Sequence, residues 1–145
     1  MDVTIQTTIA RPREHVADYV MDHEHDTAWI GGITESELLG EPPLRVGSDV
    51  RRVAHFLGRR IDYVLRVERL DPGTFLGMRS VKAPFPMTVD YAFEDGGPGT
   101  TVRIRVGGEP GRMYRLTGPM LARQTEKSIA SDLERLKTLL EAEGA

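Results

Sequence analysis

The sequence predicts an α+β fold in which a curved antiparallel sheet of about seven strands is covered by one long C-terminal helix. Two patterns lead to this prediction. Between residues 33 and 107, apolar and polar side chains alternate in runs separated by turns that contain glycine and proline, as in strands that bury one face. Residues 118–143 then carry apolar side chains at helical spacing. A run of strands followed by a helix favours an antiparallel sheet packed on that helix.

The N-terminal part predicts one strand and two short helices. Alternation at residues 3–9 indicates the first strand. Pro12 ends this strand, because proline cannot donate to a ladder and suits the first turn of a helix. A short helix is therefore expected at residues 12–21. The polar run DHEHD at residues 22–26 forms a joint that leads into a second short helix at residues 27–30.

Six further strands are expected after these helices. A tight hairpin turn at Gly58-Arg59 joins two of them. The next turn, at residues 71–73, contains a proline that presets φ and a glycine that accepts positive φ. The predicted strands are residues 33–39, 49–57, 60–70, 74–81, 87–94 and 101–106.

The C-terminal helix carries one apolar stripe whose two halves differ in size. Isoleucine and leucine in the C-terminal half fill space, whereas Ala122 and Thr125 in the N-terminal half leave space. The stripe comprises Ala122, Thr125, Ile129, Leu133, Leu136 and Leu140. We therefore expect a filled core at one end of the helix. At the other end we expect either a cavity or bulky strand residues that occupy the gap.

The composition restricts the class of protein. The 145 residues fit one domain spanning residues 1–145, and the formal charge of -3 gives no general affinity for nucleic acid or anionic membrane. The absence of cysteine excludes disulfides and thiol chemistry. No apolar run approaches the ~20 residues of a membrane span. The N-terminus lacks the pattern of a signal peptide, so we expect a cytoplasmic protein, either monomeric or homodimeric.

Several short motifs follow one another in a characteristic order. They are IARPREHV at residues 9–16, Asp22 followed by Trp29, Gly47-Ser48, Gly58-Arg59, the turn at residues 71–73 and DLERLK at residues 132–137. Together they resemble the START/Bet v 1-like superfamily, also called SRPBCC, and within it the polyketide cyclase/dehydrase-type branch. The resemblance implies a helix-grip fold, in which the sheet wraps around the long C-terminal helix and encloses a cavity for an apolar ligand. It implies no catalytic motif common to the family.

The DHEHD run at residues 22–26 contains residue types that bind metals. His23 and His25 could chelate an ion from extended backbone, but no third ligand follows at a recognisable spacing. The alternative is a solvated joint in which Asp22 caps the following helix, and we expect no metal. The sequence has no nucleophile elbow, phosphate loop or dinucleotide fingerprint in a suitable context, and we expect no cofactor.

Two residues are candidates for general acid–base catalysis. His55 shares its strand face with Val53, so it lies beside the pocket if that face is interior and in solvent if it is exterior. Tyr63 shares its face with Ile61 and Leu65. Its hydroxyl could orient a phenol or carbonyl of a ligand, or bond a backbone acceptor within the core.

The expected ligand-binding residues are aromatic, methionine and arginine side chains, together with the small residues of the helix stripe. Methionine adapts to irregular apolar ligands, and Arg52 could place a cation near the polar end of a ligand. The full set is Trp29, Arg52, Met78, Phe85, Met87, Tyr91, Met113, Tyr114, Met120, Ala122 and Thr125.

Three functions are compatible with this sequence. The first is binding of a small hydrophobic or aromatic ligand, lipid or polyketide-like, between sheet and helix. The second is an enzyme of polyketide cyclase/dehydratase type, and the third is a protein-interaction module similar to the co-chaperone-like members of the superfamily. An apolar pocket with polar groups only at its mouth favours the first, and a paired acid and base favour the second. A filled interior with an exposed apolar patch favours the third.

Overall fold

A curled antiparallel sheet of seven strands forms the body of the protein in a computed structural model that describes residues 1–108 and 118–144. The strands are β1 (Asp2–Ile9), β2 (Ile33–Leu39), β3 (Asp49–Phe56), β4 (Arg59–Asp71), β5 (Phe75–Lys82), β6 (Met87–Gly96) and β7 (Gly99–Gly108). Their order across the sheet is β1-β7-β6-β5-β4-β3-β2. Strands β2 to β7 thus form a meander, and β1 returns to pair with β7.

Three helices accompany the sheet in the described part of the chain. They are α1 (Arg13–Met21), α2 (Asp26–Trp29) and α3 (Gly118–Glu143), with a 3-10 turn at His23–His25 between α1 and α2. The predicted helix-grip architecture is confirmed, including the two short helices after β1 and the long C-terminal helix. Among the described residues, no helix has the length and apolar character needed to cross a membrane.

The leucine end of α3 packs into the core as the stripe predicts. Leu133, Leu136 and Leu140 are almost completely buried, and Ile129 is 7% exposed. They share one apolar cluster with the inward-facing residues of β1 and β4 to β7. At the N-terminal end the prediction needs one correction. Leu121 is the buried residue of the first turns, whereas Ala122 is only half-buried.

The hairpin between β3 and β4 determines which residues of these strands face α3. Its turn consists of Leu57 and Gly58, which have φ values of 52° and 75°; the predicted turn at Gly58-Arg59 is therefore displaced by one residue. Two consecutive positive φ values characterise the type I′ turn, whose twist matches that of paired strands. In the resulting register Arg52 lies opposite Tyr63. Both are buried, so this face is the interior one.

Candidate functional site

A cavity lies between the sheet and the N-terminal half of α3, and its first part is predominantly apolar. This part, which we call the outer chamber, has a volume of about 200 Å³. Leu121 and Thr125 of α3 form one side, and Ile33, Ala54 and Ile61 contribute to the sheet side. His55, Phe85 and Ser128 also border it. A cavity is therefore present at the Thr125 end of the helix, where the small residues of the stripe leave space.

The second part of the cavity, the inner chamber, is more polar. It has a volume of about 150 Å³ and is contiguous with the outer chamber, because both are lined by Ile30, Ile33, Tyr63, Met87, Val106 and Asp132. The residues that line only the inner chamber are Trp29, Arg52, Val89, Tyr91, Ile104 and Ile129. Polar side chains thus occur at the inner end of the cavity as well as near its outer part.

A buried ion pair forms the polar wall of the inner chamber, in which Arg52 lines the chamber and Asp26 lies behind it. The Arg52 Nε and Nη2 atoms each lie 3.0 Å from Asp26 Oδ2. The Ser36 hydroxyl donates to the same oxygen at 2.7 Å, and Arg52 Nη2 donates to the Tyr91 hydroxyl at 3.3 Å. Arg52 is 5% exposed and Asp26 is 1% exposed. The arginine charge is therefore compensated within the protein, as a buried charge requires.

Local structure places Asp26 at this position. Asp22 Oδ1 accepts the backbone N–H of Glu24 at 3.0 Å and caps the 3-10 turn. This turn leads directly into α2, whose first residue is Asp26. Of the run at residues 22–26, only Asp26 is fully buried. No group of three or more metal-ligating side chains suited to an ion occurs within residues 1–108 and 118–144.

The helix α3 holds the segment after α2 against the cavity. Arg135 Nη1 donates to the Trp29 carbonyl oxygen at 2.9 Å. Asp132 Oδ1 accepts the Gly31 N–H at the same distance. These two bonds tie the end of α2 to α3. The helix therefore fixes the position of the part of the cavity wall that contains Trp29 and Ile30.

The two tyrosines of the inner chamber stay protonated over the ordinary pH range. Burial raises the pKa of Tyr91 to about 12, although the Arg52 charge opposes the shift. Burial also raises the pKa of Tyr63, and Arg52 again acts in the opposite direction. Because desolvation disfavours the phenolate, both hydroxyls can donate a hydrogen bond at neutral pH.

Trp29 contributes a polar group that has no hydrogen-bond partner among residues 1–108 and 118–144. Its side chain is 1% exposed and lines the inner chamber. The ring meets Tyr91 edge to face, with the centroids 6.1 Å apart. The indole Nε1–H is buried and has no hydrogen-bond acceptor in the described structure. Buried donors are nearly always paired, so this unpaired nitrogen is an exception in the wall of the chamber.

Asp132 is a titratable carboxyl group that lines both chambers. Burial raises its pKa above the ordinary value of 3.8, while the hydrogen bond from the Gly31 N–H and the charge of Arg135 counteract this shift. Both of these donors contact Oδ1. Perturbed carboxyl groups in clefts are frequent at functional sites, and Asp132 is therefore the acid–base group that the structure adds to the sequence-based candidates.

The structure brings most of the predicted site residues to this cavity. Those that line it are Trp29, Arg52, Tyr63, Phe85, Met87, Tyr91 and Thr125. His55 also borders the outer chamber, but its side chain is exposed and it alternates with the buried Arg52 and half-buried Ala54. Of the two positions considered for His55, the exterior one is found. Its partner across the hairpin is the exposed Arg60.

Three predicted lining residues lie away from the cavity. Met78 is buried beside a separate void of about 10 Å³, behind the Arg52–Asp26 pair. Met120 is 62% exposed, because it lies on the face of α3 turned away from the core. Ala122 is half-buried and packs against the core next to Leu121, which takes the lining position. Met113 and Tyr114 lie outside the described residues.

The site also contains residues that the sequence reasoning did not select. Asp26, Leu121, Ser128 and Asp132 all belong to the cavity or its polar wall. Ser128 and Asp132 follow Leu121 and Thr125 at steps of three or four residues, which places all four on one side of α3. That spacing is sufficient to identify Ser128 and Asp132 as neighbours of the cavity from the sequence. No comparable local pattern indicates the pairing of Asp26 with Arg52.

Comparisons with known proteins agree with this fold. Residues 1–141 match the family described as polyketide cyclase/dehydrase and lipid transport. A protein from Thermus thermophilus superposes with a TM-score of 0.86 at 19% identity over 100% of both chains. A START superfamily protein from Mycobacterium smegmatis gives 0.81 at 16% identity over 97% of both. The Zhui aromatase/cyclase from Streptomyces sp. R1128 gives 0.81 at 17% identity, covering 100% of this chain and 96% of that chain.

No curated protein matches the chain. The solved structures establish the shared START-type fold, and the family match covers all but the last few residues. The resemblance inferred from the motif order is thereby confirmed. The chain belongs to the polyketide cyclase/dehydrase and lipid transport family.

Proposed function

We propose that this protein binds a small apolar or aromatic molecule, lipid or polyketide-like, in the cavity formed by the outer and inner chambers. The observation that carries this proposal is the position of the space. An apolar chamber of about 200 Å³ lies where the α3 stripe changes from leucine to small residues, and it continues into a chamber with polar groups. Mostly apolar pockets with a few polar groups are typical of small-molecule sites.

The chamber sizes suit one or two rings or a short acyl chain. An apolar cavity of about 150 Å³ in another protein is large enough to bind benzene. Burying roughly 150 Å² of an aromatic ligand would gain about 4 kcal/mol before the costs of association. A single-ring compound is therefore expected to bind weakly, and a larger ligand that fills both chambers is expected to bind more tightly.

A substitution that fills the outer chamber tests the proposal. Thr125→Phe places a ring in the chamber, whereas Ala130→Phe places the same ring on the exposed face of the same helix. The neutral fluorescent probe N-phenylnaphthylamine should bind the wild-type chain with a saturable rise in emission. We expect Thr125→Phe to lower its affinity at least tenfold and Ala130→Phe to leave it unchanged. Equal affinities in the two variants would contradict binding at this site.

A catalytic role of polyketide cyclase/dehydratase type is the second candidate, and Asp132 is the observation that favours it. Asp132 and Tyr63 both line both chambers, so a carboxyl group and a protonated phenol face the same space. A carboxylate with a raised pKa is suited to removing a proton next to a carbonyl, and a phenol can donate to the oxygen that becomes negative. In this interpretation Asp132 is the general base and Tyr63 the hydrogen-bond donor, while His55 has no interior position.

The enzymatic candidate is tested with a thioester of a poly-β-keto chain as substrate. Asp132→Asn keeps the shape of the side chain but cannot accept the proton, and we expect it to lower kcat by about a hundredfold or more. Glu134→Gln, on the exposed face of α3, is the matched control. Aromatic product formed equally by both variants would exclude Asp132 as the base and leave ligand binding as the function.

The third interpretation, a protein-interaction module, has less support. It requires a filled interior and a contiguous exposed apolar patch. The interior instead contains the two chambers. The large apolar side chains that are most exposed, such as Val46, Leu57 and Met120, belong to different parts of the fold.

A further inference from the structure

We infer that the ligand carries a positively charged nitrogen, as an amine with an apolar body does, and that this nitrogen pairs with the Asp132 carboxylate, which borders both chambers. The inference rests on the proposed ligand-binding function and adds the charge of the ligand to it. Asp132 is then a binding residue, whereas the enzymatic candidate uses the same carboxylate as a base.

Asp132 has one carboxylate oxygen that the described residues leave available. The Gly31 N–H donates to Oδ1 at 2.9 Å, and Arg135 Nη1 donates to the same oxygen at 3.3 Å. Within residues 1–108 and 118–144, no donor contacts Oδ2. The side chain is 13% exposed and lines both chambers. Since each carboxylate oxygen can accept hydrogen bonds, a ligand donor can use Oδ2 without displacing Gly31 or Arg135.

The charges around the cavity favour a cation over an anion. Arg52 lines the inner chamber, but its charge is compensated by Asp26, which lies behind it at 3.0 Å. Arg135 lines neither chamber and its side chain is 44% exposed, so solvent screens its charge. His55, whose side chain is exposed, borders the outer chamber alone. A ligand cation would therefore meet the Asp132 carboxylate, whereas an anion would meet the same carboxylate and a cation that is already paired.

The rest of the cavity wall also suits an organic cation. Ser128 precedes Asp132 by one turn of α3 and lines the outer chamber, so its hydroxyl oxygen can accept a second N–H of an ammonium group. Aromatic side chains attract cations to their ring faces, and the two chambers contain several of them. These are Trp29, Phe56, Tyr63, Phe85 and Tyr91.

Two naphthalene probes of the same shape test the inference. Naphthylmethylammonium is a cation at neutral pH, and ethylnaphthalene has carbon in place of its nitrogen. Shifts of the Thr125 and Ile33 methyl resonances report their affinities for the cavity. Asp132→Asn keeps an oxygen that can accept the Gly31 N–H but removes the charge. We expect it to lower the affinity of the cation at least about tenfold and to leave that of ethylnaphthalene nearly unchanged.

Glu134→Gln is the matched control, because it removes a negative charge from the exposed face of the same helix. It should change the affinity of neither probe. If it weakened the cation as much as Asp132→Asn does, the attraction would come from the general charge of the surface and the inference would be overturned.

The protonation of Asp132 supplies a measure that needs no variant. Burial raises the pKa of Asp132, and a cation bound beside it favours the carboxylate over the neutral acid. A carbon-detected titration should therefore give a lower pKa for Asp132 when the wild-type chain is saturated with naphthylmethylammonium than when it is saturated with ethylnaphthalene. The same pKa with both bound probes would contradict the pairing.

The outcomes distinguish this inference from the proposed function. Suppose that ethylnaphthalene binds in the cavity and naphthylmethylammonium does not, or that Asp132→Asn binds the cation as tightly as the wild type. The inference is then wrong, and the proposed function stands. If neither probe binds, the proposed function fails as well.

Discussion

Removing one partner of the buried ion pair tests the description of the inner chamber. Asp26→Ala would leave Arg52, which is 5% exposed, without a counter-charge, and would remove the acceptor of the Ser36 hydroxyl. Breaking a buried pair in this way costs about 3–5 kcal/mol of unfolding free energy, because the remaining charge stays desolvated. For a domain of this size, the corresponding fall in Tm is on the order of 10 °C.

Urea denaturation followed by circular dichroism measures this loss, and an exposed pair supplies the control. Arg66 contacts the two carboxylate oxygens of Asp49 at 2.8 and 3.0 Å, so the distances are similar, but its side chain faces solvent. Asp49→Ala should therefore lose only a small fraction of the stability that Asp26→Ala loses, since exposed pairs contribute little.

A double substitution separates charge burial from packing. Asp26→Leu combined with Arg52→Met replaces the pair by apolar side chains, and we expect it to be more stable than Asp26→Ala alone, because no uncompensated charge remains. The reasoning would be refuted if Asp26→Ala and Asp49→Ala lost the same stability. It would also fail if the double variant lost as much as the sum of its single substitutions.

Three further predictions concern α3 and the closure of the sheet. Burial raises the pKa of Asp132 above 3.8, so the stability due to its protonated form is present below pH 3.8 and is lost as the pH rises through the folded-state pKa. As the pH rises through that pKa, the unfolding free energy of Asp132→Asn should therefore increase relative to that of the wild type. A carbon-detected titration should place the midpoint of the Asp132 carboxyl group above pH 3.8. Leu136→Ala, at a fully buried position, should cost about 2–5 kcal/mol in urea denaturation. Gly99→Ala should cost about 1–3 kcal/mol, because its Cβ would overlap the Ile9 carbonyl oxygen. The Cβ of Gly118→Ala meets no atom of the described residues, so this control should cost nothing.

The fold could be predicted from the sequence because its signals are local and repeated. Alternation at period two identifies the strands, and the run from Ile129 to Leu140 identifies the buried side of α3. The family motifs then supply the order of the elements. Boundaries moved by one or two residues, as at the Leu57-Gly58 turn, because turn chemistry alone does not distinguish neighbouring two-residue connections.

The face of β3 could have been assigned from sequence. Any two-residue turn between β3 and β4 pairs even-numbered residues of one strand with odd-numbered residues of the other. Arg52 must therefore lie on the same face of the sheet as Tyr63. By the same rule, His55 must lie on the same face as Arg60. Since Tyr63 belongs to an apolar alternation, Arg52 had to be interior and His55 exterior. The hairpin register therefore assigns the interior and exterior faces of β3, even though the residue types of β3 alone do not distinguish them.

The polar wall could not be predicted, because its contacts join distant parts of the chain. Asp26 is 26 residues from Arg52, and Arg52 is 39 residues from Tyr91. Each residue alone resembles an ordinary surface charge or core aromatic. Only the folded chain brings Asp26 to Arg52 of β3 and Trp29 to Tyr91 of β6, so that these residues form one cluster.

The location of a bound apolar probe tests most directly whether the cavity is the binding site. Nuclear Overhauser effects between N-phenylnaphthylamine and assigned methyl groups report contacts within a few ångströms. We predict contacts with Thr125 of α3 and with Ile33 and Met87 on the opposite wall. Contacts confined to exposed residues such as Val46 and Leu57 would contradict this prediction, because the probe would then lie on the surface and not between sheet and helix.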